Sequence, residues 1–243
     1  MAKYKFTLKE RRDVAEGTMA FVFDTSGAPD FSFRAGQYVE VGLENPPYTD
    51  EKKNHREFSI TSSPEEKGII MIASRMRDSA FKRSMREVPM GTEFAIEGPY
   101  GDFSLHENIQ RQAVFIAGGI GITPVRSILK DAAERKLPHK IILIYSNRTP
   151  ESAAFMEDLE KFEKMNPNLT VLATMTDMEN AKNPWEGLRG RVDADFIKNN
   201  IGDLSNSTYY IVGPAQMVSG VGAALESAGV SRDDMRFEEF SGY

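Results

Sequence analysis

Three glycines within four positions, Gly118, Gly119 and Gly121, directly follow the apolar run AVFIA (113–117) and precede Thr123 and Pro124. Where an apolar strand ends in glycines and a helix begins, free backbone N–H groups point outward at the positive end of the helix dipole. Without Cβ atoms, an anion can approach that backbone closely. Thr123 suits the N-cap and Pro124 the first helical position, so the spacing predicts a helix that starts there. The pattern can hold a pyrophosphate, and it can equally be a plain strand-to-helix turn. No Gly-Lys-Ser/Thr follows, and Pro124 stands where GxGxxG would have its third glycine, so it is neither of those two loops. A second group lies upstream in HREFSITSSP (55–64). On a strand, Arg56, Phe58 and Ile60 share one side while Glu57, Ser59 and Thr61 share the other. An arginine can hold a phosphate with two parallel bonds, and an aromatic can cover a flat ring.

These residues need elements to position them, and the two halves of the chain read differently. Up to about residue 105, short strand-like runs alternate with Gly, Pro and Asp/Asn clusters: 4–10, 18–25, 37–43, 57–63, 69–76 and 92–98, with one helical piece at 79–87. That pattern predicts an antiparallel β-barrel or sandwich. From residue 111, AVFIA and IILIY (141–145) are continuous apolar runs, as in parallel strands covered on both faces. Helical spacing at 124–136, 150–164, 193–199 and 214–228 alternates with strands at 169–175, 208–212 and 235–240, which predicts right-handed βαβ units on a parallel sheet. The expected division is a barrel domain over residues 1–105 and an α/β domain over 106–243, parted within GPYGDFSLHEN (98–108).

Composition narrows the classes. The chain has 243 residues, 40% hydrophobic, a net charge of −6, no cysteine and three histidines. Disulfides, thiolate zinc sites and the usual protein-ligated iron–sulfur clusters are excluded. His55, His106 and His139 show no metal-ligand spacing, so no metal is expected. The acidic balance argues against nucleic acid as a partner. No apolar run approaches the roughly 20 residues of a membrane span, and MAKYKFTLKE lacks the apolar core of a signal peptide, so a cytoplasmic protein is expected.

Five stretches, in order and covering nearly the whole chain, resemble the ferredoxin–NADP⁺ reductase superfamily. HREFSITSS (55–63) is similar to that family's Arg-x-Tyr/Phe-Ser flavin strand, and RMRDSAFKRSM (75–85) to its flavin-phosphate segment. IEGPYGDF (96–103) is similar to the loop closing the barrel, AGGIGITP (117–124) to the nicotinamide-nucleotide loop, and VGPAQM (212–217) to its Cys-Gly-Pro-x-x-Met motif. The resemblance implies a flavin-binding barrel, an NAD(P) domain, and hydride transfer between NADPH or NADH and FAD. It places the FAD against Arg56, Glu57, Phe58 and Ser59, with Arg56 on the pyrophosphate, Phe58 on the ring system and Ser59 near the hydride-accepting nitrogen. Ser79, Ala80 and Phe81 would meet the flavin phosphates. Gly118, Gly119, Gly121, Thr123 and Pro124 would surround the dinucleotide, and Gly213, Pro214 and Met217 would shape the nicotinamide pocket.

The sequence departs from the family at Phe58, where many relatives have Tyr, and at Val212, where the family has Cys. Tyr243 is a candidate to cover the flavin, and with Ser59 and Thr123 it completes the expected catalytic set; Glu238 or Glu239 would sit nearby. Ser146 and Arg148 can hold a 2′-phosphate, which leans the expectation to NADPH, although Arg148 fits a solvated turn equally well. The implied acceptor is a separate carrier, such as ferredoxin, flavodoxin or an oxygenase component. Arg56, Arg75, Arg77, Lys82, Arg83 and Arg86, with Lys52 and Lys53, would steer an acidic carrier if they share the flavin rim. Two other functions stay open: a reductase of free flavin, ferric chelates or quinones, and a non-catalytic nucleotide-sensing module.

Overall fold

The structure is a computed structural model that describes residues 3–51 and 54–240. The first unit is a six-stranded antiparallel sheet: β1 (Lys3–Ala15), β2 (Thr18–Asp24), β3 (Tyr38–Gly42), β4 (His55–Ser59), β5 (Ile69–Arg75) and β6 (Glu93–Tyr100), in the order β4-β3-β6-β1-β2-β5. Its interior is apolar, with Phe6, Phe21, Phe23, Ile70 and Phe94 among the buried side chains. The expected strand 57–63 ends early, because the chain turns at Ile60 to bond with β5. Thr61 N–H donates to Met71 O at 2.7 Å, and Met71 N–H donates to Ser62 Oγ at 2.9 Å. These bonds join the two ends of the sheet and close the barrel. The first strand runs past its expected end at residue 10 because it serves two partners, β6 and then β2. Irregularities at Leu8/Glu10 and Asp13/Ala15 break the alternation by which a strand is read. Helix α1 (Ala80–Glu87) lies between β5 and β6 and buries Phe81 and Met85 in the barrel core.

The second unit is a parallel sheet of β7 (Gln112–Gly118), β8 (Ile141–Asn147), β9 (Leu169–Met175), β10 (Leu188–Arg189), β11 (Ser207–Pro214) and β12 (Met235–Phe240), in the order β10-β9-β8-β7-β11-β12. Helices α2 (Ile122–Glu134), α3 (Met156–Met165), α4 (Ala194–Ile201) and α5 (Ala215–Ser227) cover it. The chain winds outward from β7 to β10 and then crosses back to β11 on the other side of β7. The C-terminal ends of β7 and β11 therefore flank a topological switch point, the usual ligand crevice of such sheets.

Two helix boundaries differ from expectation. A turn of 3₁₀ helix at Gly119–Gly121 leads directly into α2, so the helix begins two residues upstream of Pro124. Thr123 is therefore not the N-cap. It lies buried in the first turn and its Oγ1 donates to Ile120 O at 2.9 Å. Pro124 remains in that first turn, where its missing N–H has no partner to lose. The expected helix at 150–164 is split, because Phe155 adopts a left-handed conformation (φ 63°) and α3 starts only after it. The two units share an apolar core: Ala20, Val22, Met71 and Ala73 on the barrel pack with Phe103, Val125 and Ile128. Among the described residues, no helix is long and apolar enough to cross a membrane.

Candidate active site

The first cradle forms where β4 faces the start of α1. Ser79 caps the helix, its Oγ accepting from Lys82 N–H at 3.3 Å. The Arg56 guanidinium lies 5.4 Å from the centre of the Phe81 ring, which is also stacked with Phe58 at 6.2 Å. The expected sharing of one side by Arg56 and Phe58 is thus met through Phe81. Lys82 is pushed below the usual lysine range, first by burial and then by the charges of Arg77 and Arg56. Cations crowded in this way leave room for an anion, and a carboxylate stands there. Asp50 Oδ1 is 3.9 Å from Arg56 Nη2, and Asp50 Oδ2 accepts from Ala80 N–H at 3.3 Å. An acid therefore bridges the arginine and the helix start, as a phosphate oxygen would.

The second cradle is built from backbone. Gly118 lies under the Met217 side chain and Pro214, and Gly213 (φ 150°) passes so close to it that a Cβ there would meet Gly118 N and O at 3.1 Å. A Cβ on Gly121 would stand 2.6 Å from Val212 O. Gly119 (φ 54°) has a left-handed backbone, and the space above it ends at Arg75 Nη2, 3.1 Å from where a Cβ would be. Tyr145, fully buried, donates its hydroxyl to Gly119 O at 3.2 Å. The Thr123 hydroxyl donates back to Ile120 O in the turn before α2, which leaves its oxygen able only to accept from a ligand.

The two cradles meet at Ser59 and Glu238. Ser59, at the end of β4, donates to Glu238 Oε1 at 3.5 Å, and Glu238 pairs in register with Val212. Burial pushes the Glu238 carboxyl up to about 7, Asp102 pushes the same way, and the Ser59 bond partly opposes them. Its Oε2 is buried and has no hydrogen-bond partner among the described residues. Val212, the departure from the family motif, is fully buried in the sheet, and its backbone packs against Gly121. A cavity of about 360 Å³ opens beside Glu238, lined by Tyr38, Asp102, Phe103, Arg236 and Phe237.

Of the two residues expected to meet the adenosine ribose, Ser146 stands at the end of β8 and is half-buried. Arg148 grips Asp177 Oδ2 through Nε at 3.2 Å and Nη2 at 2.6 Å, and this bond holds the Asp177 carboxyl below its usual range. Tyr243, Lys52 and Lys53 lie outside the described residues. Among the other basic residues expected on a rim, Arg83 pairs with Asp78 and Arg86 with Glu87.

Several site residues carry little signal in the sequence. Asp50 sits in a loop without periodicity, and Asp177 meets Arg148 from a different strand end. Arg75 reads there as a rim cation and as the head of the segment likened to the flavin-phosphate stretch, and nothing local in the sequence signals that it faces Gly119.

The first unit matches the family described as the oxidoreductase FAD-binding domain over residues 5–105, and the second matches the oxidoreductase NAD-binding domain over residues 115–222. Together with the two cradles, these define an FAD-dependent nicotinamide-nucleotide oxidoreductase. The chain belongs to the ferredoxin–NADP⁺ reductase superfamily. It is 27% identical over 210 residues to the reductase component 1 of terephthalate 1,2-dioxygenase from a Comamonas species, covering 86% of this chain and 60% of that protein. It is 26% identical to one component of the Na⁺-translocating NADH-quinone reductase of Methylococcus capsulatus, covering 99% of this chain and 68% of that component. It thus spans about 60% of the length of the first of these relatives. Its fold is shared with the FAD/NAD-binding domain of a Vibrio cholerae nitric oxide dioxygenase (TM-score 0.84, 18% identity, 97% of this chain and 98% of that one). A Neisseria gonorrhoeae ferredoxin NADP⁺ reductase with bound FAD and NADP also shares it (TM-score 0.77, 20% identity, 98% of each chain).

Proposed function

We propose that this chain passes reducing equivalents from NADH, by way of bound FAD, to a separate electron-carrier protein such as a ferredoxin, a flavodoxin or an oxygenase component. The observation that carries this reading is the contact of Ser59 from the barrel with Glu238 from the last parallel strand, beside the switch-point loop. The division between the two units is placed at 105/106, within the connection from β6 to β7.

FAD fits the first cradle, because an acid from the chain itself already bridges Arg56 and the start of α1. Arg56, Lys82 and the N–H groups at that helix start would hold its phosphates, and Phe58 would cover its ring. When bound, FAD supplies acceptance of hydride and release of electrons singly or in pairs. The chain's own residues do the rest. The glycine loop orients the dinucleotide, with Arg75 facing it. The shared apolar core excludes water from between the units. Ser59 and Glu238 hold a proton at the junction, and a carboxyl that titrates near neutrality can give and take it at working pH.

NADH is favoured over NADPH by the pairing of Arg148 with Asp177. A carboxylate held beside that guanidinium repels a 2′-phosphate, whereas it suits a ribose 2′-hydroxyl. The 243 residues hold no cysteine, so the iron–sulfur chemistry of such an acceptor would lie outside them. The names of the reductase-component relatives point in the same direction.

The test is anaerobic. NADH is expected to bleach the flavin spectrum faster than NADPH, and reoxidation by added ferredoxin or flavodoxin is expected to saturate. A second reading, direct reduction of a small acceptor such as a quinone, a free flavin or a ferric chelate, draws on the cavity beside Glu238. Saturable reoxidation by one of these, with linear and slow reoxidation by every carrier protein, would replace the first reading with the second.

A further inference from the structure

Arg126 is a buried cation in the second turn of α2, and its side chain keeps only 5% exposure. Its Nη1 donates to Thr61 O at 2.7 Å, while Nε and Nη2 donate to Asp158 Oδ2 at 2.9 and 2.7 Å. The guanidinium also lies 5.0 Å from the Phe155 ring and 5.7 Å from the Phe162 ring. The next residue repeats the connection, with Ser127 Oγ donating to Ser62 O at 2.6 Å. Adjacent residues of one unit thus hold adjacent carbonyls of the other, and all four residues are buried.

The position of this paired connection along the chain matters. Thr61 lies two residues after Ser59, which meets Glu238 at the junction. Arg126 lies five residues after Gly121, the last glycine of the dinucleotide loop. A short covalent-plus-hydrogen-bonded path between the two cradles therefore runs through Arg126. Through Asp158, the same guanidinium also holds α3, which follows the ribose-side loop.

Adhesion between the units does not require an arginine here. The apolar core already joins them, and a buried ion pair stabilises little compared with apolar side chains of similar volume. Apolar contact, however, is non-directional, and two smooth faces can slide. A forked guanidinium and a hydroxyl on consecutive carbonyls fix the lateral register. A displacement of about 1 Å between reacting groups can cost about 100-fold in rate.

We propose that Arg126 and Ser127 are positioning residues for hydride transfer, which set the approach of the dinucleotide loop to Ser59 through the carbonyls of Thr61 and Ser62. The proposal rests on the reading of the glycine loop as the seat of the hydride donor. Three FAD-loaded variants test it: R126K, S127A and, as a comparison, K130M. K130M removes the Lys130–Glu66 ion pair (3.3 Å), which ties the same helix to the same loop farther from Ser59.

Two quantities are read at saturating NADH: the long-wavelength charge-transfer absorbance of the flavin–nicotinamide complex, and the stopped-flow rate of flavin reduction with NADH and its 4-deuterated form. R126K is expected to lose most of the charge-transfer absorbance and to slow reduction about tenfold, and S127A to do so a few-fold, with FAD content unchanged. K130M is expected to lower the melting temperature and leave both readouts at wild-type values. Wild-type absorbance and rate in S127A and R126K would overturn the proposal, as would equal slowing in K130M. If R126K does not retain FAD, S127A alone decides by the same criterion. Failure of wild-type protein to be reduced by NADH or NADPH would sink the oxidoreductase reading and this proposal together, a result distinct from unaltered variants of a working enzyme.

Discussion

The two anion cradles solve the same problem with different materials. At the start of α1, side chains do the holding: Arg56, Arg77 and Lys82 converge, and burial beside like charges depresses the lysine. At the switch point, backbone does the holding: Gly118, Gly121 and Gly213 pack to within contact distance, and Arg75 from the barrel faces Gly119. Charge concentrated in one place favours tight, long-lived binding, and it carries a standing cost when the site is bare. A cradle of shape and dipoles binds more weakly and releases readily. The contrast fits a resident cofactor in the first cradle and a ligand that must leave at every turnover in the second.

The largest expected effect comes from reversing charge in the first cradle. Arg56→Glu should weaken FAD by more than about 100-fold, since charge-assisted bonds are worth roughly 1.5–3 kcal/mol and repulsion adds to their loss. Flavin absorbance of the purified protein measures it, and full FAD content would break the distinction between the cradles.

Next is Glu238, between the two. Its carboxyl rises from 4.5 unfolded to about 7 folded, so the folded state binds the proton more tightly. Stability of the apoprotein should therefore fall as pH climbs from about 4.5 to about 7 and level off above, by roughly 3 kcal/mol at most. Glu238→Gln should flatten that slope in urea titrations run across the window. An unchanged slope would mean that this carboxyl titrates normally.

Gly121→Ala sharpens the comparison from the other side. Its Cβ would meet Val212 O at 2.6 Å and Gly213 Cα at 2.9 Å, both backbone. A cost of about 1–3 kcal/mol in stability and about tenfold in NADH affinity is expected, with FAD retained. Loss of FAD instead would show that the two cradles are not independent.

The smallest effect concerns specificity. Asp177→Asn frees Arg148 and should raise kcat/KM for NADPH about tenfold relative to NADH. No change in the ratio would remove Asp177 from the ribose site.

Much of this can be read from residue order, because the strongest signals are local. The apolar runs AVFIA and IILIY, the glycines between strand and helix, and the Arg-x-Phe-Ser strand each carry their meaning within ten residues. What cannot be read is set by long-range geometry. Asp50 reaches Arg56 and Ala80 from an irregular loop, and Arg148 is claimed by Asp177 from a neighbouring strand end. The helix starts early because the glycines themselves coil into the first turn, which a capping rule applied at Thr123 and Pro124 misses. Arg126 reads as one polar position in an amphipathic pattern, and only the folded chain shows it buried against the other unit.

The short segment after β4 has a consequence for recombining such proteins. Residues 60–62 seal the barrel through Met71 and, with the same few peptide groups, receive the donors of α2. A chimera that joins this barrel to another nucleotide-binding half would close its own sheet and still be misaligned unless the incoming helix brings a guanidinium and a hydroxyl at the matching adjacent positions. The seam, more than the linker between β6 and β7, therefore decides which halves are interchangeable.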